Sequence, residues 1–212
     1  MAIKVNGTTV INDSRALSNI ASVDATTATA IGNAGVGGGL KLLQNYTTTS
    51  NATYFDIDFP TGYDWFKIVV SELRVTDSQY SGTFQARLKD SSGNLITSTS
   101  YMYHYTHLSD PSGSNSNRIT LELRAMISGS ANGGQLVMDV YKPRDSNYTT
   151  RVDAASQCYG NFQTGYGPYA FGKNTTHMLT YKTANTGIRI YDDGAYTAKA
   201  GTKIMVWGAV NA

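Results

Sequence analysis

The feature that most constrains this chain is a period-two alternation of apolar and polar residues in short segments that end at Gly, Asn or Asp. In YFDIDF, Phe55, Ile57 and Phe59 alternate with Asp56 and Asp58, and RITLELRAMI and GQLVMDVY repeat the pattern. Successive side chains of a β-strand point to opposite faces, so each segment predicts a strand with one face in a core. The chain is therefore expected to be built from strands.

The composition agrees with a strand-rich fold. The chain holds 15 Tyr and 21 Gly, only 15% of its residues are charged, and its glutamates are Glu72 and Glu122. Long helices favour Glu, Lys, Ala and Leu, whereas Thr and Tyr favour strands. About eight to ten strands separated by turns predict an all-β fold, an antiparallel β-sandwich of jelly-roll-like type. Each strand would bury about three large side chains at roughly 1.5–3 kcal/mol each, enough for the domain to fold alone.

Three segments carry more detailed predictions. GTFQARLKDSSGNLITSTSY is expected to form a hairpin that turns at Asp90–Gly93. TGIRIYDDGAYTAKAGTKIMVWGA is expected to close the chain as a final strand pair. WFKIVVSELRV is apolar on both faces around Ile68–Val70, which is typical of a central strand covered on two sides.

A run of glycines divides the chain into a short first part and a long second part. Four glycines fall between Gly35 and Gly39, which suits a hinge. We therefore predict an N-terminal docking segment with its hinge at residues 1–39 and a β-sandwich head at residues 40–212.

The first part has too few apolar residues to be stable alone. IKVNGTTVI predicts a hairpin with an Asn6-Gly7 turn, and Asp24 is suited to cap a helix of two to three turns. Isolated helices of that length are marginal in water. Residues 1–34 are therefore expected to need a partner surface in order to fold.

Sequence patterns of catalysis and cofactor binding are missing from the printed sequence. It contains no P-loop, G-x-S-x-G or H-E-x-x-H motif. Cys158 is the sole cysteine, which excludes an intrachain disulfide, and His104 and His107 would point to opposite faces of a strand. Asp56 and Asp58 share a strand face, which suits either an exposed acidic stripe or carboxylates flanking a glycosidic bond or a calcium ion. We expect no catalytic residues, no metal and no cofactor.

Charge and hydropathy exclude several kinds of partner. The net charge is +2, and Lys and Arg are scattered singly, so neither nucleic acid nor an anionic membrane surface is indicated. No apolar run has the length of a signal peptide or of a membrane span. The chain is expected to fold without an export signal and without membrane insertion.

One aromatic-rich stretch, QCYGNFQTGYGPYAFG, indicates a binding surface. Its rings lie among glycines and Pro168, as in an irregular loop, and they belong to Tyr159, Phe162, Tyr166, Tyr169 and Phe171. Flat rings offer a large contact area at a low entropic cost, which suits stacking on sugars or contact with another subunit. The alternative is that these rings fold back over their own sandwich.

The opening of the chain resembles the N-terminal segment of many bacteriophage virion proteins, especially tail-fibre-like proteins of marine and cyanobacterial phages. The matching residues are Val10, Ile11, Asn12, Ser14, Arg15, Leu17, Asn19 and Ile20, followed by an Ala/Thr-rich stretch and glycines. The end of the chain is similar to the last strand of the heads of such proteins, at Gly194, Gly201, Thr202, Val206, Trp207 and Gly208. The resemblance covers nearly the whole chain, and its sequence motifs are loosely defined.

The resemblance implies a homotrimer in the virion, made in the host cytoplasm. It implies that Val10, Ile11, Arg15, Leu17 and Ile20 dock on other virion proteins of the tail, baseplate or capsid. Two functions fit that design. One is a short fibre, an adhesin whose head meets a host surface glycan, and the other is a capsid decoration, or cement, protein. A depolymerase is disfavoured because the sequence shows no repeat of the kind that builds long β-helices.

Overall fold

The computed structural model describes residues 3–5, 8–11, 26, 39–76, 81–97, 101–107, 114–118, 121–128, 134–160, 169–192 and 197–209. The chain divides into two compact units, Met1–Gly39 with Ala212, and Leu40–Asn211. In the first unit, β1 (Ile3–Val5) and β2 (Thr8–Ile11) pair antiparallel, as the predicted hairpin requires. The predicted helix after Asp24 and most of the glycine hinge lie outside the described residues.

The second unit, the head, contains twelve strands in its described part. They are β3 (Lys41–Thr47), β4 (Tyr54–Asp58), β5 (Trp65–Leu73), β6 (Ser81–Lys89), β7 (Tyr101–His107), β8 (Ser114–Arg118), β9 (Leu121–Ser128), β10 (Gly134–Tyr141), β11 (Arg151–Gly160), β12 (Tyr169–Leu179), β13 (Gly187–Asp192) and β14 (Lys203–Ala209). None of the described residues of the chain belongs to a helix long and apolar enough to cross a membrane.

The strands of the head form two antiparallel sheets. The large sheet has the order β3-β14-β5-β10-β11-β12-β7-β8, and the small sheet has the order β4-β13-β6-β9. Inward side chains from both sheets form one core, and the polar residues of β4 alternate outward as the sequence predicted. The antiparallel β-sandwich is thus confirmed. The largest fully buried side chains are those of Tyr101, Phe59, Phe66, Phe84, Ile57, Ile68, Leu73 and Leu88.

The pairing of the strands identifies the sandwich as a jelly roll with two insertions. If the hairpins β7–β8 and β11–β12 are set aside, eight strands remain. The first of these pairs with the eighth (β3 with β14), the second with the seventh (β4 with β13), the third with the sixth (β5 with β10) and the fourth with the fifth (β6 with β9). This nested pairing is that of a chain folded over on itself into two Greek keys. Both inserted hairpins extend the same side of the large sheet.

Two of the detailed predictions need correction. The last two strands are not a pair, because β13 lies in the small sheet and β14 in the large one. The turn at Asp90–Gly93 does form, with the Gly93 amide donating to the Asp90 carbonyl at 3.0 Å. The return arm, however, is only a bridge between Lys89 and Leu95, after which the chain leaves for the large sheet as β7.

Candidate functional site on the outer faces of the sheets

Strand β5 is central in the large sheet, but only one of its faces lies in the core. Phe66, Ile68 and Val70 are buried, whereas Trp65 and Val69 are half-buried on the opposite face. Of the strands described in the head, none lies over that opposite face. The second cover that the sequence predicted for this strand therefore does not come from a described strand of the head, and it stays a prediction.

The outer side of the large sheet is apolar across several strands. Val69 is directly opposite Met205 of β14 on one side and Val137 of β10 on the other, and all three are half-buried. Trp65 and Trp207 lie on the same side. We call Trp65, Val69, Val137, Met205 and Trp207 the apolar face. These half-buried apolar side chains lie around one charged pair, because Lys67 and Asp139 share the row of Trp207 and their Nζ and Oδ1 atoms are 3.5 Å apart. Interface cores are enriched in Trp and Met, so the apolar face has the composition of a contact site.

Paired charges and stacked rings lie beside the apolar face. The Trp65 and Tyr141 rings stack with centroids 6.4 Å apart, and the Arg151 guanidinium lies 5.3 Å from the Tyr141 centroid. Arg151 also donates two hydrogen bonds to the Asp153 carboxylate. Burial raises the pKa of Tyr141 above its ordinary value, and the carboxylates of Asp139 and Asp153 raise it further. The Tyr141 hydroxyl therefore stays protonated and uncharged at physiological pH. The surface is thus apolar and locally charge-balanced, which suits contact with another protein.

The outer side of the small sheet has a different chemistry. Across β4, β13 and β6, Tyr54, Tyr191 and Gln85 form one row, and Asp56, Arg189 and Arg87 form the next. A third row holds Asp58, Gly187 and Lys89. We call the side chains of these rows the charged face.

Ion pairs fix most of the charged face. Arg189 donates to both oxygens of Asp56, with its Nε 2.8 Å from Oδ1 and its Nη2 2.6 Å from Oδ2. The Lys89 Nζ lies 3.4 Å from Asp56 and 3.5 Å from Asp58. The Arg189 guanidinium carbon is 3.9 Å from the centroid of the Tyr54 ring. These contacts hold the polar groups in place on rigid strands.

The same contacts decide what Asp56 can do. The hydrogen bonds from Arg189, together with the charges of Lys89 and Arg189, lower the pKa of Asp56 below its ordinary value. A general acid in glycoside hydrolysis needs the opposite, a raised pKa. Asp56 is therefore held as an ionised carboxylate whose acceptors are already used by cations, and it resembles neither the general acid nor the calcium ligand that the sequence left open.

The aromatic stretch that the sequence singled out is only partly a loop. Tyr159 belongs to β11, and Tyr169 and Phe171 belong to β12, where Tyr159 is opposite Ala170 and Phe171 is opposite Cys158. Phe162 and Tyr166 lie outside the described residues. Tyr159, Tyr169 and Phe171 thus occupy strand positions near the end of one inserted hairpin. Their role as sugar or subunit contacts stays a prediction.

The docking residues are mostly beyond what the structure describes. Val10 and Ile11 lie in β2, and Ile11 is opposite Ile3 of β1. Arg15, Leu17 and Ile20 lie outside the described residues. The docking role stays a prediction.

The two histidines considered as ligands in the sequence, His104 and His107, both lie in β7. Within the described ranges no three His, Cys, Asp or Glu residues come together as metal ligands would.

Comparison with known proteins adds little to these observations. No family model matches the chain, and no curated protein matches it. Among solved structures, the CBM2 module of the evolved Dit of Lactobacillus casei BL23 phage J-1 aligns with 8% identity over 82% of this chain and 81% of that chain. The TM-score of that alignment is 0.18, which carries no argument about fold or function.

Proposed function

We propose that this protein is a phage virion structural protein, a homotrimeric short fibre that docks by residues 1–39 and presents its jelly-roll head to a host surface glycan. The observation that carries the structural role is the apolar face, where Val69 meets Met205 and Val137 on the outside of the large sheet. Removing apolar surface from water gains about 25 cal/mol per Å², so burying the apolar face against another subunit stabilises the assembly.

The jelly-roll topology is compatible with this role but does not decide it. Jelly rolls occur in viral capsid and lectin domains, and one fold hosts many unrelated functions. The resemblance of the chain's opening to fibre-like virion proteins supports the particle as its location. The homotrimer is the assembly that this resemblance implies.

The assembly role is tested by placing a charge on the apolar face. In the full chain, Val69→Lys should convert the trimer to a monomer in native mass spectrometry at micromolar concentration, since a buried unpaired ammonium opposes association. Gln135→Lys is the matched control, because Gln135 lies on the same side of neighbouring β10 but is exposed. A monomeric wild-type chain, or a Val69→Lys variant that remains trimeric, would contradict the proposal.

Decoration of the capsid is the second candidate, because the same apolar face would suit contact with a capsid shell. Antibody labelling of particles in electron microscopy separates the two. Label on the tail together with antibody inhibition of adsorption supports the fibre. Label over the head shell, with adsorption unchanged and particles less stable when the protein is missing, supports decoration instead.

A further inference from the structure

We propose that the charged face of the small sheet is a binding site for an anionic saccharide, with Arg87 as the residue that holds its carboxylate or phosphate. The proposal rests on the fibre function above, to which it adds a location on the head and a class of ligand.

Arg87 is the cation of the charged face that has no ion pair with a described residue. Arg189 is neutralised by Asp56, and Lys89 is shared between Asp56 and Asp58. The Nε of Arg87 is buried and has no hydrogen-bond partner among the described residues. Because the Nε is buried, an anionic ligand would accept from the terminal Nη donors of this guanidinium, whose charge no described carboxylate neutralises.

The surroundings of Arg87 favour an anion of planar or tetrahedral shape. Arg87 is directly opposite Arg189 across β6 and β13, which places two guanidinium-bearing side chains on neighbouring strands. Its guanidinium carbon lies 5.5 Å from the centroid of the Tyr191 ring, and this contact orients the guanidinium before a ligand binds. A guanidinium presents a rigid fork of donors that matches carboxylate and phosphate oxygens.

The rest of the face favours a saccharide as the carrier of that anion. Tyr54 is 47% exposed, and Tyr191 places its hydroxyl 3.5 Å from Oε1 of Gln85. Rings beside amide, carboxylate and ammonium groups suit the mixed apolar and hydroxyl surface of a sugar. A nucleic acid would need many unpaired cations along its backbone, whereas the charged face supplies one among its described side chains. A protein partner is better matched by the apolar face of the large sheet.

The test uses the full chain and isothermal titration calorimetry with four probes. These are a tetrasaccharide that alternates glucuronic acid and N-acetylglucosamine, the same compound with its carboxyls reduced to alcohols, mannose 6-phosphate, and mannose. We expect at least one anionic probe to bind at least tenfold more tightly than its neutral counterpart, and more weakly as salt rises. The two anionic probes distinguish a carboxylate ligand from a phosphate ligand.

Three variants locate the binding on the charged face. Arg87→Gln should lower the affinity for the preferred anionic probe at least tenfold. Arg87→Lys keeps the charge but loses the fork, so the affinity should fall between those of the wild type and Arg87→Gln. Arg151→Gln is the matched control, since Arg151 also lies over a tyrosine ring, at 5.3 Å, but is paired with Asp153 on the other sheet. Its affinity should stay within twofold of wild type, and the thermal midpoint of each variant establishes that it is folded.

The outcomes separate this site from the fibre function. Failure of both anionic probes to bind, or equal binding by wild type and Arg87→Gln, overturns the site. If antibodies against the protein nevertheless block adsorption, the fibre function survives without it. If binding depends on Arg87 while the protein is found on the capsid shell, the site is supported and the fibre function is wrong.

Discussion

The substitution Tyr101→Phe tests how an inserted hairpin is joined to the jelly roll. Tyr101 begins β7 and is fully buried. Its hydroxyl accepts a hydrogen bond from the Leu88 amide at 3.0 Å and donates one to the Ile96 carbonyl at 3.4 Å. Phenylalanine keeps the ring in the core and removes only this hydroxyl, so the substitution isolates the two hydrogen bonds.

The expected loss of stability follows from the Leu88 amide, which loses its acceptor. Without the hydroxyl, the Leu88 amide is a buried donor with no acceptor, which destabilises the folded state by about 1–3 kcal/mol. For a domain of this size each kcal/mol lowers the melting temperature by about 2–4 °C, so a decrease of about 2–12 °C is expected. Burial raises the pKa of Tyr101 far above its ordinary value, so the hydroxyl stays protonated and the loss should be equal at pH 6 and pH 9.

Urea denaturation followed by tryptophan fluorescence measures this loss. The midpoint should fall while the slope m stays constant, because the surface exposed on unfolding is unchanged. Tyr148→Phe is the control, since Tyr148 is 55% exposed and its contact with Lys142 is through the ring. A Tyr101→Phe variant within 0.5 kcal/mol of wild type, roughly the size of surface effects, would refute the reasoning, because the Leu88 amide would then have another acceptor.

Two further predictions concern the small sheet. Asp56→Asn should destabilise the head by about 1 kcal/mol at neutral pH. Because the folded-state pKa of Asp56 is lowered, its stabilisation is present above about pH 4 and is lost as the pH falls through the folded value, so melting curves of wild type and variant should converge in acid. Asp58→Asn is the control at neutral pH and should change the stability little, because the Asp58 side chain is 76% exposed. Gly187→Ala should lower the free energy of unfolding by about 1–3 kcal/mol and with it the urea midpoint, since a Cβ there would lie 2.6 Å from the Ile57 carbonyl oxygen. An unchanged midpoint would show that β4 moves aside freely.

The strands that alternate strongly were predictable from sequence, and the polar ones were not. β4 and β10 carry apolar residues at every second position and bury them as expected. β12 was missed because its inward positions include Thr175 and His177, which are buried but polar. Alternation of apolar and polar residues identifies a strand only when its buried positions are apolar, and the buried positions of β12 include a threonine and a histidine.

The partners of each strand and the grouping of residues in the charged face could not be predicted from the sequence. Local pattern does not say which sheet a strand joins, so β13 and β14 were expected to pair although they lie in different sheets. Arg87 and Arg189 are about a hundred positions apart and read as scattered surface charges, yet the register of β6 and β13 places them opposite each other. The sequence predicted that Asp56 and Asp58 share one strand face, and only the pairing of β4, β13 and β6 places Arg189 and Arg87 beside them.

The pairing of the first head strand with the last has a consequence for synthesis. Thr47 pairs with Lys203, so β3 has no partner in the large sheet until nearly the whole head has been translated. At roughly 5–20 residues per second the ribosome needs on the order of 10–30 s to make the intervening stretch. During that interval β3 lacks its neighbour β14, and its Leu42 and Tyr46 are exposed even in the finished head. A prematurely terminated chain would lack β14, which lies between β3 and β5, so its β3 could not join the large sheet as it does in the full-length chain.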